Sequence, residues 1–456
     1  MIKNMERSYN PLETEKISKL LYKFSVPAII GMTVNALYNI VDRMFIGNSP
    51  DLGANGLAAI TICFPAMIVM MSIGILLGQG GATMFSINLG KSDKKKADKI
   101  LGNTTTLMLI LSFTILIIGE LFLDRLLVLF GASTSILPLS RDYMRIIFIG
   151  SPFLILGMGT NHFLRASGRP KLAMVTMFLG AGINIILDPI FIFLLRMGMT
   201  GAALATIISQ LFSMSWGLYN FIRKDSEHLI TFKNMKLESN ITKNVFILGM
   251  PGFLLQLANS VLLLTLNSSL LKYGGDIAVS AMGIVNSVQT LLILPIVGVN
   301  QGLQPIVSFN YGAKKIDRVK EAVKLGIITA TIISILGFIL SHAIPDLLVA
   351  MFNRDEKLLE FGTYAMKIWF LCIPLAGFQI VAANFFQAIG KAKKAMFLTL
   401  TRQIIFLIPA IIAFSRIWKL NGILFAAPFA DFLSALITLI FFLKFIKGFD
   451  EANYTV

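Results

Sequence analysis

Long apolar stretches, separated by shorter polar segments, follow one another along almost the whole chain. Each is at least about 22 residues long, enough for an α-helix to cross the roughly 30 Å hydrocarbon core of a membrane. The chain has 456 residues and is 56% hydrophobic, whereas soluble domains are nearer about 45–50% apolar. The pattern predicts an all-α membrane protein with twelve spanning helices, at approximately 24–46, 56–80, 100–123, 143–165, 172–195, 199–222, 244–271, 278–302, 322–344, 362–387, 395–416 and 421–446.

Basic residues are concentrated in alternate polar segments. The chain holds 40 Lys and Arg against 24 Asp and Glu, a net charge of +16. Most of the basic residues lie before the first predicted span or after an even-numbered one, which is typical of the cytoplasmic side of a membrane protein. We therefore expect a multi-pass protein of the cytoplasmic (inner) membrane, with both termini in the cytoplasm. The basic loops are expected to contact anionic membrane lipids and not nucleic acid.

The sequence contains an internal repeat at an offset of about 222 residues. LRASGRPKLAM at 164–174 aligns with FQAIGKAKKAM at 386–396, and GQGGATMFSINLGK at 78–91 aligns with NQGLQPIVSFNYGA at 300–313. Each repeat holds six spans, so both enter the membrane in the same direction. This predicts two six-helix lobes related by a pseudo-two-fold axis along the membrane normal, with a cavity between them that opens alternately to each side.

The repeat sets the predicted domain boundaries. The first lobe covers residues 1–222, a polar and basic cytoplasmic linker covers 223–243, and the second lobe covers 244–456.

One predicted span carries unusual polar chemistry. Residues 182–193 read GINIILDPIFIF, so Asp188 lies inside an apolar helix with Asn184 one turn earlier on the same face. A mid-membrane charge costs about 2.5–3.5 kcal/mol to insert, and such residues are usually functional. Pro189 cannot donate to the carbonyl of Ile185, which leaves a free acceptor and predicts a kink. This oxygen set suits a proton or a small hard cation. A structural network around Asp188 is the alternative.

Two further residues are predicted to lie at the same depth. Asp42 is near the outer end of the first span, with Tyr38 one turn below it, and Thr206 is about 10 Å into the sixth span. Asp188 is about 24 Å from the cytoplasmic end of its own span. Two carboxylates in one dry site would titrate as a coupled pair. The alternative for Asp42 is an ion pair with its neighbour Arg43.

The second repeat lacks these groups, because Asp188 aligns near Ile408 and Asn184 near Ile404. Polar groups needed only to fold a lobe would be expected in both lobes, so their restriction to one favours a functional role. Asp431 in the twelfth span and Arg402 in the eleventh differ in depth by only about 5 Å. Two alternatives remain open: Asp431 pairs with Arg402, or it faces the cavity and contacts a cationic substrate.

Other motifs give no sign of an enzyme or of a cofactor. Cys63 and Cys372 lie in separate spans and carry no disulfide or zinc pattern. The GKS at residues 90–92 would need a glycine at position 85 to form a phosphate-binding loop, and Phe85 stands there. No cluster of His, Cys and Asp points to catalysis.

The motifs together resemble one transporter family. The 6+6 repeat, LYNIVDRMFIG in the first span, NIILDPIFIF in the fifth, GAALATIIS in the sixth and QGLQPIVSFNYGAKKIDRVKEA after the eighth are similar to the multidrug and toxic compound extrusion (MATE) family, prokaryotic MepA/DinF-like branch. The resemblance covers essentially the whole chain. It implies export of organic cations and other amphipathic drugs against an influx of H+ or Na+.

The resemblance also implies a site. The positions that match the first-lobe cation site of that branch, and so a possible Na+ site, are Asp42, Asn184, Asp188 and Thr206. Tyr38 and Asp431 are candidates for the substrate cavity. Another branch of the family carries acids in the seventh and tenth spans, and this chain has only amides there, at Asn259, Asn267, Asn384 and Gln387.

The expected activity is therefore a cation-coupled antiporter, acting as a monomer on small amphipathic, cationic drugs or dyes, with H+ or Na+ in place of any cofactor. The alternative is a flippase for a lipid-linked precursor. Such substrates are anionic and would require a cavity rich in Arg and Lys, whereas Arg402 is the deep cation that the sequence indicates.

Overall fold

The computed structural model describes residues 11–454, with side chains described through residue 448, and these residues form helices without a β-strand. The helices are α1 (Pro11–Thr14), α2 (Ile17–Gly47), α3 (Gly53–Gly90), α4 (Lys94–Leu121), α5 (Leu123–Leu129), α6 (Leu137–Ile149), α7 (Ser151–Ala166), α8 (Pro170–Pro189), α9 (Gly198–Ile222), α10 (Ser239–Gly312), α11 (Ile316–Ala343), α12 (Pro345–Ala350), α13 (Glu356–Trp369), α14 (Pro374–Ala388), α15 (Ala392–Leu400) and α16 (Ile408–Tyr454). Two π-helical segments, Ile190–Leu194 and Thr401–Leu407, follow α8 and α15.

The described residues make twelve membrane spans, as the sequence predicts. α10 breaks at Gly275 (φ 66°, ψ −164°) and α16 breaks at Lys419 (φ 51°, ψ −126°), so each contributes to two spans. α6 with α7, and α13 with α14, each form one span bent by 51°. The first π segment extends α8 to the end of its span, and the second joins α15 to α16 within one span.

Proline explains where the two bent spans break. Pro152 is in the first turn of α7, and Pro374 begins α14. Proline has no N–H and clashes with the preceding turn, so it starts a helix more readily than it continues one. The two prolines occupy equivalent positions in the internal repeat, and the bend is therefore a duplicated feature.

Two helices extend about ten residues beyond their predicted ends. α3 continues to Gly90 and α10 to Gly312, past the predicted limits of 80 and 302. These extensions contain polar residues that lower the hydropathy, yet they are buried by protein: Ser86 is 1% exposed and Asn310 is 0% exposed. A long apolar run indicates contact with lipid. The ends of α3 and α10 are polar and buried between the two halves, so the hydropathy pattern did not predict them as helix.

Glycines let the two halves approach closely along these segments. A Cβ built on Gly90 would lie 2.0 Å from the carbonyl oxygen of Phe309, and one on Gly312 would lie 2.0 Å from that of Ile87. Gly90 is repeat-related to Gly312, and Ile87 to Phe309, so the pseudo-two-fold axis between the halves relates one contact to the other. A Cβ on Gly249 would lie 1.8 Å from the carbonyl oxygen of Leu76.

Side-chain hydrogen bonds join the halves beside these crossings. Gln304 Nε2 donates to Thr83 Oγ1 at 2.7 Å, and Gln79 Nε2 donates to Gln387 Oε1 at 3.1 Å. Ser86 Oγ donates to the carbonyl of Pro305 at 3.2 Å. These contacts lie toward the ends of the helices that lead into the basic loops, so that side of the interface is closed. We call it the sealed side.

On the sealed side, the first helix of each half packs against the opposite half. Leu20 and Phe24 of α2 belong to the same core cluster as Leu303 and Val323 of the second half. Val245 at the start of α10 packs in a cluster with residues of the first half. The two halves are therefore interlocked at this end, and separate clusters fill the opposite ends of each half.

The glycine crossings give a direct test of the sealed interface. Gly249→Val should lower the melting temperature of the purified protein, because its side chain would displace the backbone of α3, and such overpacking costs about 1–3 kcal/mol. Gly283→Val is the matched control in the same helix, since a Cβ there meets nothing within 4 Å. Equal melting temperatures for the two variants would show that the crossing is not tightly packed.

Candidate cation site and central cavity

A pocket in the first half collects the four predicted site residues. Asp42 comes from α2, Asn184 and Asp188 from α8, and Thr206 from α9. Asn184 and Asp188 are 0% exposed and Thr206 is 5% exposed, while Asp42 is half-buried. The carboxyl groups of Asp42 and Asp188 are in direct interaction. The matching depths expected from the sequence thus correspond to a shared location.

Several oxygens of this pocket lack a partner. Asn184 Nδ2 donates to Asp188 Oδ1 at 3.3 Å. Asp42 Oδ1, Asn184 Oδ1 and Asp188 Oδ2 are buried and accept no hydrogen bond from the described residues. Two carboxylate oxygens attract each other only through a shared proton or cation, and an unpaired buried polar group is costly. The pocket therefore presents an incomplete set of ligands.

The unpaired oxygens fit a proton or Na+ better than a transition metal. They belong to two carboxyl groups and one amide, which are hard ligands of the type that bind alkali and alkaline-earth cations. The described residues contain no group of three or more His, Cys, Asp or Glu side chains suited to a metal ion. Thr206 Oγ1 donates to the carbonyl of Ala202 at 3.0 Å, so its lone pairs remain available to accept or to coordinate.

Two tyrosines complete the pocket. Tyr143 of α6 is 2% exposed, and its hydroxyl group lies against Thr206 and near Asp42. Tyr143 was not predicted from the sequence, because a single tyrosine in an apolar span carries no pattern that distinguishes it from a packing residue. Tyr38 lies beside Asp42 and Asp188, and it is not among the residues that line the central cavity. By position it belongs to the acid pocket.

The alternative of an Asp42–Arg43 ion pair is not seen among the described residues. The Arg43 guanidinium lies over the ring of Phe64, 5.8 Å from its centre. Asp42 therefore turns toward α8, and its charge is not neutralised by a salt bridge to its neighbour.

The helix that carries Asp188 changes geometry next to the acid. Pro189 lies within α8, and the following residues Ile190–Leu194 are π-helical, with Leu195 N donating to the Ile190 carbonyl at 2.9 Å. A kink was predicted from Pro189, and the structure has a local widening there. π-helical segments inside α-helices are frequent at functional sites.

A central cavity of about 730 Å³ lies between the two halves. It is bounded on one side by the sealed interface, so its opening is toward the opposite side. Amide side chains outnumber methionines and aromatic rings in its lining. The lining includes Gln79, Gln256, Asn259, Gln289, Asn384 and Gln403 along with Met158, Trp369 and Phe370.

Asp431 was expected either to pair with Arg402 or to face the cavity, and the structure shows both. Arg402 Nε donates a hydrogen bond to Asp431 Oδ1, and both residues line the cavity. Gln403 Nε2 donates to Asn259 Oδ1 at 2.9 Å, which ties the same region to α10. Asp431 is thus paired with Arg402 and faces the cavity at the same time.

The chain has twelve membrane spans in two lobes, buried acids in one lobe and a large cavity between the lobes. This architecture is that of a multi-pass membrane transporter. The MatE family model matches residues 27–190 and 251–412. The chain belongs to the MatE family, whose members are transporters.

Relatives and solved structures are similar over nearly the full length. The multidrug export protein MepA of Staphylococcus aureus (strain MRSA252) is 27% identical over 424 residues, which cover 93% of each chain. A crystal structure of MATE in complex with MaD3S has a TM-score of 0.91 at 26% identity, and covers 97% of this chain and 98% of the other. An outward-facing multidrug resistance MATE transporter has a TM-score of 0.90 at 25% identity, covering 97% and 98%.

The contact between Asp42 and Asp188 predicts coupled titration. Asp42→Asn should change the pH at which the carboxyl band of Asp188 appears and disappears in infrared difference spectra, because each charge acts on the other. Asp51→Asn, which removes an exposed acid of the same half, should leave that band unchanged. A titration of Asp188 that is the same with and without Asp42 would contradict the shared pocket.

The Arg402–Asp431 pair predicts a rescue. Arg402→Gln or Asp431→Asn alone should destabilise the protein by about 3–5 kcal/mol, because one buried charge loses its partner. The double variant should recover most of the lost stability, as measured by melting temperature. Arg416→Gln removes an exposed arginine of α16 and should be neutral. A double variant as unstable as the single ones would refute a dominant role for the pair.

Proposed function

We propose that this protein is a cation-coupled antiporter, which exports amphipathic organic cations and drugs across the cytoplasmic membrane of a bacterium in exchange for H+ or Na+. The observation that carries the proposal is the buried contact of Asp42 with Asp188 and the unpartnered oxygens around it. This site lies within one half of the protein, whereas the large cavity lies between the halves. The driving ion and the drug would therefore bind at separate sites.

The driving ion is proposed to bind Asp42, Asn184, Asp188 and Thr206. With both acids ionised, their repulsion favours uptake of a proton or of Na+ between them. Binding would draw α2, α8 and α9 together, because these three helices supply the ligands. A change in the packing of α2 would then reach the cavity, since Met32 of α2 is part of its lining. No catalytic step and no cofactor is needed.

Alternating access would move two lobes, proposed as residues 1–222 and 244–456, joined by the linker 223–243. If the basic loops face the cytoplasm, the sealed side is cytoplasmic and the cavity opens outward. The transporter in the outward-facing conformation, with its TM-score of 0.90, supports this reading. Opening to the cytoplasm would require the Gln304–Thr83 and Gln79–Gln387 bonds to break.

The proposed substrates are small amphipathic drugs, and the proposed acting unit is a monomer in contact with membrane lipids. The names of the relatives, multidrug export proteins, support drug export. Trp369 and Phe370 offer apolar surface and π-faces to an organic cation. A cationic substrate would compete with Arg402 for Asp431. The Asp431 carboxylate would then be paired with Arg402 when the cavity is empty and with the substrate when it is occupied, so it would never be buried without a partner.

The structure does not favour the flippase alternative. An anionic lipid-linked precursor would need several cations in the cavity. Arg402 is the one arginine among the described lining residues, which include no lysine, and it is already paired with Asp431. Arg165, in the last turn of α7, is a second buried arginine. It lines a much smaller pocket on the sealed side, next to His162.

The function is tested by transport in liposomes. Asp188→Asn should fold normally, yet drug uptake driven by a proton or sodium gradient should fall to the level of protein-free liposomes, because the site loses an ionisable ligand. Asp51→Asn is the matched control, an exposed acid in the same half, and should transport like the wild type. Wild-type transport by Asp188→Asn would show that the acid pocket is structural.

A further inference from the structure

The linker between the halves is held firmly against α4. Asn103, which is 1% exposed, donates from Nδ2 to the carbonyls of Asn234 at 3.0 Å and Lys236 at 2.8 Å. Its Oδ1 accepts from the backbone N–H of Glu238 at 2.7 Å. Thr106 Oγ1 donates to the carbonyl of Met235 at 2.8 Å. Side chains on one face of α4 thus form hydrogen bonds with four backbone groups of the linker, and these bonds hold the linker against the helix.

Close backbone packing and a histidine–carboxylate hydrogen bond fix the linker further. A Cβ on Gly102 would lie 2.5 Å from the backbone of Asn234, so only glycine permits this approach. His228 is 3% exposed and its Nδ1 lies 2.9 Å from Asp98 Oδ1. The linker therefore has a defined position relative to the first half, and its exposed side chains point in defined directions.

The fixed linker presents an exposed aromatic ring at a turn. The carbonyl of Thr231 accepts from the backbone N–H groups of both Asn234 and Met235, at 2.9 and 3.1 Å, which closes a turn over residues 231–235. Phe232, on this turn, is 95% exposed. Lys233 and Lys236 are exposed beside it, and neither forms an ion pair with an acid in the described part of the chain. Within the part of the chain that the structure describes, no group covers this ring or neutralises these two charges.

The level of the turn along α4 indicates what covers it. α4 begins with basic residues at Lys94–Lys96 and Lys99, and its mainly apolar run, which is free of charged residues as far as Gly119, begins at Leu107. Asn103 and Thr106, which bind the linker, lie within about one turn, or 6 Å, of that run. The turn is therefore at the height where the helix passes from water into hydrocarbon. Aromatic rings flanked by lysines are typical of this interfacial zone.

We propose that the turn 231–235 is a membrane anchor, in which Phe232 inserts into the headgroup region while Lys233 and Lys236 bind anionic phospholipids. The inference is independent of the transport cycle and rests on the position of the linker. Its occupant is a leaflet rich in phospholipids such as phosphatidylglycerol, since the chemistry on offer is one apolar ring beside two unpaired cations. The anchor would hold the cytoplasmic end of the first half at a fixed depth.

Fluorescence in nanodiscs tests the depth of the ring. In Phe232→Trp, the signal added to that of the three native tryptophans should be quenched by phosphatidylcholine brominated near the headgroup and protected from iodide in the water. Lys95→Trp is the control, because it is exposed and about 12 Å farther from the apolar run than Asn103. Its added signal should show the opposite behaviour. Phe232→Trp behaving like Lys95→Trp would overturn the proposal.

The charge requirement is tested in the same Phe232→Trp background. Increasing phosphatidylglycerol should shift the added emission to shorter wavelength, and Lys233→Gln with Lys236→Gln should weaken this insertion by about fivefold per lysine removed. Phe232 is almost fully exposed, so its replacement should leave the fold and transport unimpaired. An emission that is the same without phosphatidylglycerol and without the lysines would refute the role of anionic lipid.

Discussion

A charged side chain inside a hydrocarbon-spanning helix must find a partner, and this constraint shapes both sites of the protein. Arg402 and Asp431 satisfy each other across α16 and its π-helical neighbour, so that pair is complete without a ligand. Asp42 and Asp188 bring two like charges together and leave oxygens unpartnered. The first arrangement is stable at rest, and the second requires something from solution. That difference is the reason for proposing the acid pocket, and not the Arg402–Asp431 pair, as the site of the driving ion.

The scaffold is duplicated, whereas the chemistry is not. Gly90 and Gly312 occupy repeat-related positions and make matching contacts, which places them near the pseudo-two-fold axis. Each half also has a π-helical segment in its fifth span. In the first half this segment adjoins Asp188, and in the second it contains Arg402. The two π segments are not repeat-equivalent, since at the 222-residue offset Ile190–Leu194 corresponds to 412–416 and not to Thr401–Leu407. The halves thus differ in local backbone geometry as well as in charge.

Hydropathy and the internal repeat predicted the twelve spans because contact with lipid demands long apolar runs. They failed where protein takes the place of lipid: the ends of α3 and α10 are polar and buried, and the first helices cross to the opposite half. The four residues proposed for the cation site were predicted from isolated polar groups in apolar helices and from a family resemblance. Tyr143 escaped because its role arises from a tertiary contact with Thr206, and sequence position alone carries no trace of that contact.

In the proposed antiporter, occupancy of the acid pocket and binding of drug in the cavity are alternatives, coupled through α2. Coupling between two sites is reciprocal, so drug binding must change the affinity for the ion as much as the ion changes the affinity for drug. The direct measurement is calorimetric titration of a cationic drug into purified protein, in buffers of different ionisation enthalpy and at several Na+ concentrations. The account predicts that drug binding releases protons, or that its affinity falls as Na+ rises. A drug affinity independent of pH and of Na+, with no proton released, would contradict it.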